Sequence, residues 1–147
     1  MANQQITASA VISHCEELED RASAFYSALS AMFPAHRDVF SGFVEESRKN
    51  KVILVRTYRE TVSDALETGF AFKGLELQAD LVPLVVSDST ELCEALVEAL
   101  EFERSAADFY TKVATLSQSL LATIPRAFRR VARRRAARHD VLQSLVG

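Results

Sequence analysis

The chain has 147 residues, 48% of them hydrophobic and 25% charged, with a formal net charge of −3. That is the size of one domain, residues 1–147, able to bury roughly two thirds of its unfolded surface without help from a disulfide or metal. Four glycines and three prolines supply too few turns for an all-β fold, and no apolar run approaches the ~20 residues a membrane span requires.

The N-terminal stretch MANQQITASAV has neither the basic region nor the apolar run of a signal peptide. Cys15 and Cys93 lack metal-ligand spacing. Both read as reduced core thiols of a cytoplasmic protein.

Four long helical patterns follow in order. The first spans about Thr7 to Phe33, where Val11, Cys15, Leu18, Ala22, Phe25, Leu29 and Met32 keep a 4-3 spacing. Pro34 ends it. The second runs from Ala35 to about Thr68, with Phe40, Phe43, Val44, Leu54, Val55 and Tyr58 on one side and Gly69 as its stop. Phe70 to Ser87 contains Gly74 and Pro83 and reads as a long connection. Asp88-Ser-Thr-Glu91 reads as an N-cap with a capping-box Glu. The third helix then continues to about Gln118, its stripe built from Leu92, Ala95, Ala99, Phe102, Ala106, Phe109, Val113 and Leu116. The fourth opens near Thr123, with Pro125 in its first turn, and ends at Leu145. Short joints within each pair and a long one between pairs predict two antiparallel hairpins and a crossover, each helix ~40 Å long.

An internal repeat stands out within this frame. EDRASAFY at residues 19–26 and ERSAADFY at 103–110 place Glu, Ala, Phe and Tyr at matching positions, 84 residues apart. Glu19 falls in the seven-residue series Ile12, Glu19, Tyr26, Phe33, and Glu103 in the series Leu96, Glu103, Tyr110. Both carboxylates therefore sit in otherwise apolar stripes.

The fourth helix differs sharply in charge from the rest of the chain. Residues 126–147 hold seven Arg and one Asp, a local +6, so the rest of the chain carries −9. On the fourth helix, Phe128, Val131, Leu142 and Leu145 define a stripe whose missing members are Arg135 and Arg138. Arg126, Arg129, Arg130, Arg133 and Arg134 cluster on the other side. On the second helix, a wheel at ~100° per residue places Ser47 near the centre of the apolar face and Asn50 at its edge, with Lys49 pointing away. His14 and His36 carry no signal, and Glu45 and Glu46 with Arg48, Lys49 and Lys51 read as a solvated face.

The repeat, the hairpin–crossover–hairpin layout and the coverage of nearly the whole chain resemble the ferritin-like superfamily, in its rubrerythrin-like branch. The resemblance implies an all-α antiparallel four-helix bundle holding a di-iron carboxylate centre. In that family the first and third helices each give one Glu, matched here by Glu19 and Glu103. The second and fourth each give Glu-x-x-His. Here the positions are Ser47 and Asn50, or Glu46 and Lys49 one residue back. On the fourth helix they are Arg135 and Arg138, or Ala136 and His139.

Two readings follow. In the first, the di-metal site is degenerate and a buried network of Glu19, Glu103, Arg135, Arg138, Ser47 and Asn50 replaces it, leaving a non-catalytic binding or assembly module without cofactor. In the second, Glu19, Glu46, Glu103 and His139 form an incomplete metal site, with Tyr26 and Tyr110 beside it, for an oxidoreductase or iron-handling protein. No Cys-x-x-Cys pair is present to pass electrons. The long bundle with apolar edges implies a homodimer. The acidic whole and the lack of aromatic interleaving argue against nucleic acid.

Overall fold

A computed structural model of the chain describes residues 6–61, 72, 86, 87, 89–118 and 123–146. These residues form four α-helices: α1 (Ala8–Met32), α2 (Arg37–Thr61), α3 (Leu92–Leu116) and α4 (Thr123–Val146). One turn of 3₁₀ helix, Pro34–His36, joins the first two. Among the described residues there is no strand, and no helix is long and apolar enough to cross a membrane.

Local chemistry sets the helix ends. Thr7 is extended and its Oγ1 accepts the N–H of Ala10 at 3.2 Å, capping α1. At the other end, Pro34 keeps Phe33 out of the helical region. Helix α3 starts later than the sequence predicts. Ser87 and Thr90 close a turn on themselves through Thr90 N–H to Ser87 O and Ser87 N–H to Thr90 Oγ1, both 3.0 Å. The N-cap is therefore Glu91, whose N–H is taken by Glu94 Oε1 at 3.0 Å. The expected cap at Asp88, the C-terminal part of the second helical pattern with its Gly69 stop, and most of the 70–87 connection lie outside the described residues.

Interhelical pairs fix the directions. Ser30 meets Ser41 at 3.0 Å and Asp20 meets Lys51 at 2.9 Å, so α1 and α2 are antiparallel. Glu46 meets Arg138 and Asn50 meets Arg134, so α2 and α4 are antiparallel. Glu19 meets Tyr110 and Tyr26 meets Glu103, so α1 and α3 are antiparallel. It follows that α1 and α4 run one way and α2 and α3 the other. Thr61 and Leu92 thus lie at opposite ends of the molecule.

One apolar core joins all four helices. Leu18, Ala22, Phe25 and Leu29 of α1 meet Ala99, Phe102, Ala106 and Phe109 of α3, with Phe40 and Leu54 of α2 and Phe128, Val131 and Leu142 of α4. The alanines at matching repeat positions, Ala22 and Ala106, are fully buried within this core. His14, on which the sequence is silent, is buried, its ring 4.9 Å from that of Phe109. Two expectations need correction. Cys93 is exposed, because it lies off the Leu92–Ala95–Ala99 stripe, whereas Cys15 is buried. Arg134 is half-buried rather than on the open face, drawn in by Asn50 Oδ1 at 3.1 Å.

Leu18 has no solvent exposure and Val52 is 52% exposed. Leu18→Ala should cost ~2–5 kcal/mol in urea unfolding, and Val52→Ala at most ~0.5 kcal/mol.

Candidate functional site: a buried carboxylate and guanidinium network

Midway along the four helices, where an apolar core would be expected, five charged side chains meet. Glu19 and Glu103 come from the two copies of the repeat, Arg135 and Arg138 from α4, and Glu46 from α2. The first four are essentially without solvent exposure. The Glu46 side chain is 33% exposed. Each of the buried residues lies on its helix's apolar stripe, so the periodicity that builds the core also aims these charges at one another.

Arg135 bridges the two repeat carboxylates. Its Nη1 donates to both oxygens of Glu103, at 2.8 and 2.7 Å, and its Nη2 donates to Glu19 Oε1 at 2.6 Å. Its carbon centre lies 5.5 Å from the centroid of the Phe102 ring. Nε has no partner. Arg138 is the second cation. Nε and Nη2 donate to Glu46 Oε1 at 3.1 and 2.6 Å, and Nη1 to Ser47 Oγ at 3.0 Å. A longer contact of 3.4 Å runs from Nη1 to Glu103 Oε2. Phe43 and Tyr26 pack on this guanidinium at 4.9 and 5.5 Å.

The tyrosines cross over. Tyr26 of α1 donates to Glu103 Oε2 of α3 at 2.7 Å, and Tyr110 of α3 donates to Glu19 Oε2 of α1 at 2.6 Å. Each repeat offers a Glu and, two turns later, a Tyr. Because the helices run antiparallel, each repeat's Tyr reaches the other's Glu. The repeat is thus a pseudo-twofold pair of interlocking hydrogen bonds.

The wholly buried charges balance, two carboxylates against two guanidiniums, which offsets a desolvation penalty that unpaired ions could not sustain. Burial pulls Arg135 towards losing its proton. Glu103 and Glu19 together outweigh that pull and hold it well above its usual value. Burial raises both tyrosine hydroxyls well above their ordinary range, Tyr26 with the added push of Glu103 and Tyr110 with that of Glu19. Cys15, beside Tyr110, is raised first by burial and then by Glu19.

Of the residues singled out in the sequence, the structure brings together Glu19, Glu103, Arg135, Arg138, Ser47, Tyr26 and Tyr110. Asn50 is buried but joins through Arg134 rather than the carboxylates. His139 stays apart. Its side chain is 26% exposed and its Nδ1 lies 3.7 Å from Asp140 Oδ1. On α4 it is therefore Arg135 and Arg138, and not Ala136 and His139, that turn inward. Glu46 and the aromatic rings under the guanidiniums are members the sequence reading did not place in the network. Phe102 carried a signal, since it precedes Glu103 on a buried stripe.

The donor set does not fit a metal pair. Both oxygens of Glu19 and both of Glu103 accept hydrogen bonds, and a guanidinium sits between the two carboxylates. Among the described residues no group of three or more His, Cys, Asp or Glu comes together that could hold a metal ion. The set of Glu19, Glu46, Glu103 and His139 does not converge as ligands, because Arg138 claims Glu46 and His139 lies at the surface.

Two predictions follow from this geometry. Arg135→Ala leaves two buried carboxylates without their bridge and should cost ~3–5 kcal/mol in urea unfolding, whereas Arg133→Ala, on the exposed side, should cost at most ~0.5 kcal/mol. The second concerns alkaline pH. Tyr26 and Tyr110 titrate higher in the folded chain than in the unfolded one, so the unfolded state loses their protons first. Their contribution is full below the unfolded pKa of about 10 and is lost as pH rises beyond it towards the folded values. Tyrosinate absorbance from these two residues should appear only together with unfolding, and Tyr26→Phe/Tyr110→Phe should flatten the alkaline fall in stability.

Comparison of the chain with protein-family models, with curated proteins and with solved structures finds no match.

Proposed function

We propose that this chain is a ferritin-like bundle of rubrerythrin-like kind in which a fixed guanidinium takes the place of the di-metal centre. It acts as a binding or assembly module rather than a catalyst. The observation that carries the reading is Arg135, held between Glu19 and Glu103 at 2.6 to 2.8 Å. A ferritin-like centre uses those two positions as metal ligands. Here the carboxylates are already neutralised, and the cation between them repels a second positive charge.

The helix directions support the same reading. With α1 and α4 running one way and α2 and α3 the other, the chain has the sense of two hairpins and a lengthwise return, as in ferritin-like folds. The pseudo-symmetric repeat fits an origin in paired halves. In a centre so closed, neither of the two buried carboxylates keeps an oxygen free of hydrogen bonds to act as a ligand or base. Function then belongs to the surface, through association with a second copy of the chain or another protein. The reading places the protein in the cytoplasm and assigns it no cofactor.

Metal content tests it. The protein is expressed in medium supplemented in turn with iron, manganese and zinc, desalted and analysed by elemental analysis and optical spectroscopy. The expected result is substoichiometric metal and no oxo-bridged di-iron absorption. Tightly held, near-stoichiometric metal, or that absorption band, overturns the reading in favour of an iron-dependent oxidoreductase or carrier.

A further inference from the structure

The outer surface of α4 is costly as it stands. Arg126, Arg129, Arg130 and Arg133 are all exposed and sit at i, i+3 and i+4 spacings, where like charges repel. They also lie towards the helix N-terminus, the end that disfavours cations. Among the described residues, none of these four has an acidic partner within the chain. Beside them, between α4 and α2, runs a groove of about 330 Å³. Its floor is apolar, Val52 and Ile53, and its walls are cationic, Arg48 and Lys49 on one side and Arg130 and Arg134 on the other. Glu45 also lines it, but Arg48 already holds that carboxylate at 3.5 Å.

The complementary shape is on α3. Val97 is 59% exposed, the most exposed large hydrophobic side chain among the described residues. Glu94 and Glu101 flank it on the same side of the helix, one turn before and one turn after, and Asp108 continues the strip; all three are exposed. An apolar knob between carboxylates is the counterpart of an apolar floor between cations. Phosphate backbones need no apolar floor, and among the described residues that line the groove there is no aromatic ring for base stacking.

We propose that the Val97 strip of one copy docks into the α2–α4 groove of another, placing Glu94 and Glu101 against Arg48, Lys49 and Arg130. This rests on the reading of the chain as an assembly module and names its partner as a second copy. The two surfaces differ, so the contact is head to tail and does not close at two copies. The net negative charge is compatible with it, because each copy contributes one acidic and one basic face. Screening by salt weakens the contact.

Complementation between single-face variants tests the proposal. Arg48→Glu/Arg130→Glu spoils only the groove. Val97→Lys/Glu101→Lys spoils only the strip. All four residues are exposed, and circular dichroism with thermal melting verifies that each variant folds. Sedimentation velocity at low salt should show the unaltered chain forming concentration-dependent oligomers that high salt dissolves. Each variant alone should stay monomeric, and an equimolar mixture should give a 1:1 dimer that grows no further. A monomeric unaltered chain overturns the proposal. So does a dimer persisting in both variants, which would place the interface elsewhere. Retention of the monomeric chain on DNA at low salt would assign the arginine face to a polyanion instead. None of these outcomes depends on metal content, so this proposal and the reading beneath it can fail separately.

Discussion

Arg135 spans the carboxylates of Glu19 and Glu103, and without it two anions would face each other in a core from which water is excluded. Two buried carboxylates cannot both stay ionised at low cost unless a cation or a metal lies between them. Much of the structure serves that requirement. Phe102 lies against the Arg135 guanidinium, Tyr110 and Tyr26 each donate a further hydrogen bond to one of the carboxylates, and Arg138 connects the centre to the partly exposed Glu46. The network extends from α1 and α3 through α4 to α2, and so ties together all four helices.

Such a network is a poor source of net stability compared with a well-packed apolar core. Its effect is on specificity of packing. A helix that slips by one residue sacrifices a paired charge rather than a methyl contact, so the register of α4 against α1, α2 and α3 is strongly fixed. The reciprocal Glu–Tyr bonds fix α1 against α3 in the same way. Every oxygen of Glu19 and Glu103 accepts at least one hydrogen bond, and burial holds the hydroxyls of Tyr26 and Tyr110 above their ordinary range. In the function proposed above, the exposed residues carry the association, most visibly the arginines of α4 and the acidic strip of α3.

The helices and the inward aim of the charges were legible because both are expressed in spacing. Glu19 stands in a seven-residue apolar series, and Arg135 and Arg138 are the missing members of a stripe set by Phe128, Val131 and Leu142. A wheel likewise placed Ser47 inside, because the apolar face of α2 is centred on it. Features that depend on how helices meet were not legible. The Glu–Tyr crossover needs the antiparallel pairing of α1 and α3, which a single helix does not reveal. Glu46 looked like part of a solvated face until Arg138 reached it from α4. Arg134 read as an outer residue because the wheel knows nothing of Asn50 across the groove. Helix α3 begins at Leu92 rather than directly after Asp88, because Ser87 and Thr90 close a turn through their backbones and the Thr90 hydroxyl, which the run Asp88-Ser-Thr-Glu91 does not reveal.

The charge compensation at the centre is most directly measured by a thermodynamic cycle. Arg135→Met is made in the unaltered chain and in a Glu19→Gln/Glu103→Gln background, and each loss of stability is read from urea unfolding. If Arg135 neutralises the two carboxylates, its removal is costly in the first case and far cheaper in the second, with a coupling of ~2 kcal/mol or more. Equal losses in both backgrounds would mean that Arg135 contributes by packing alone, and the compensation described here would be wrong.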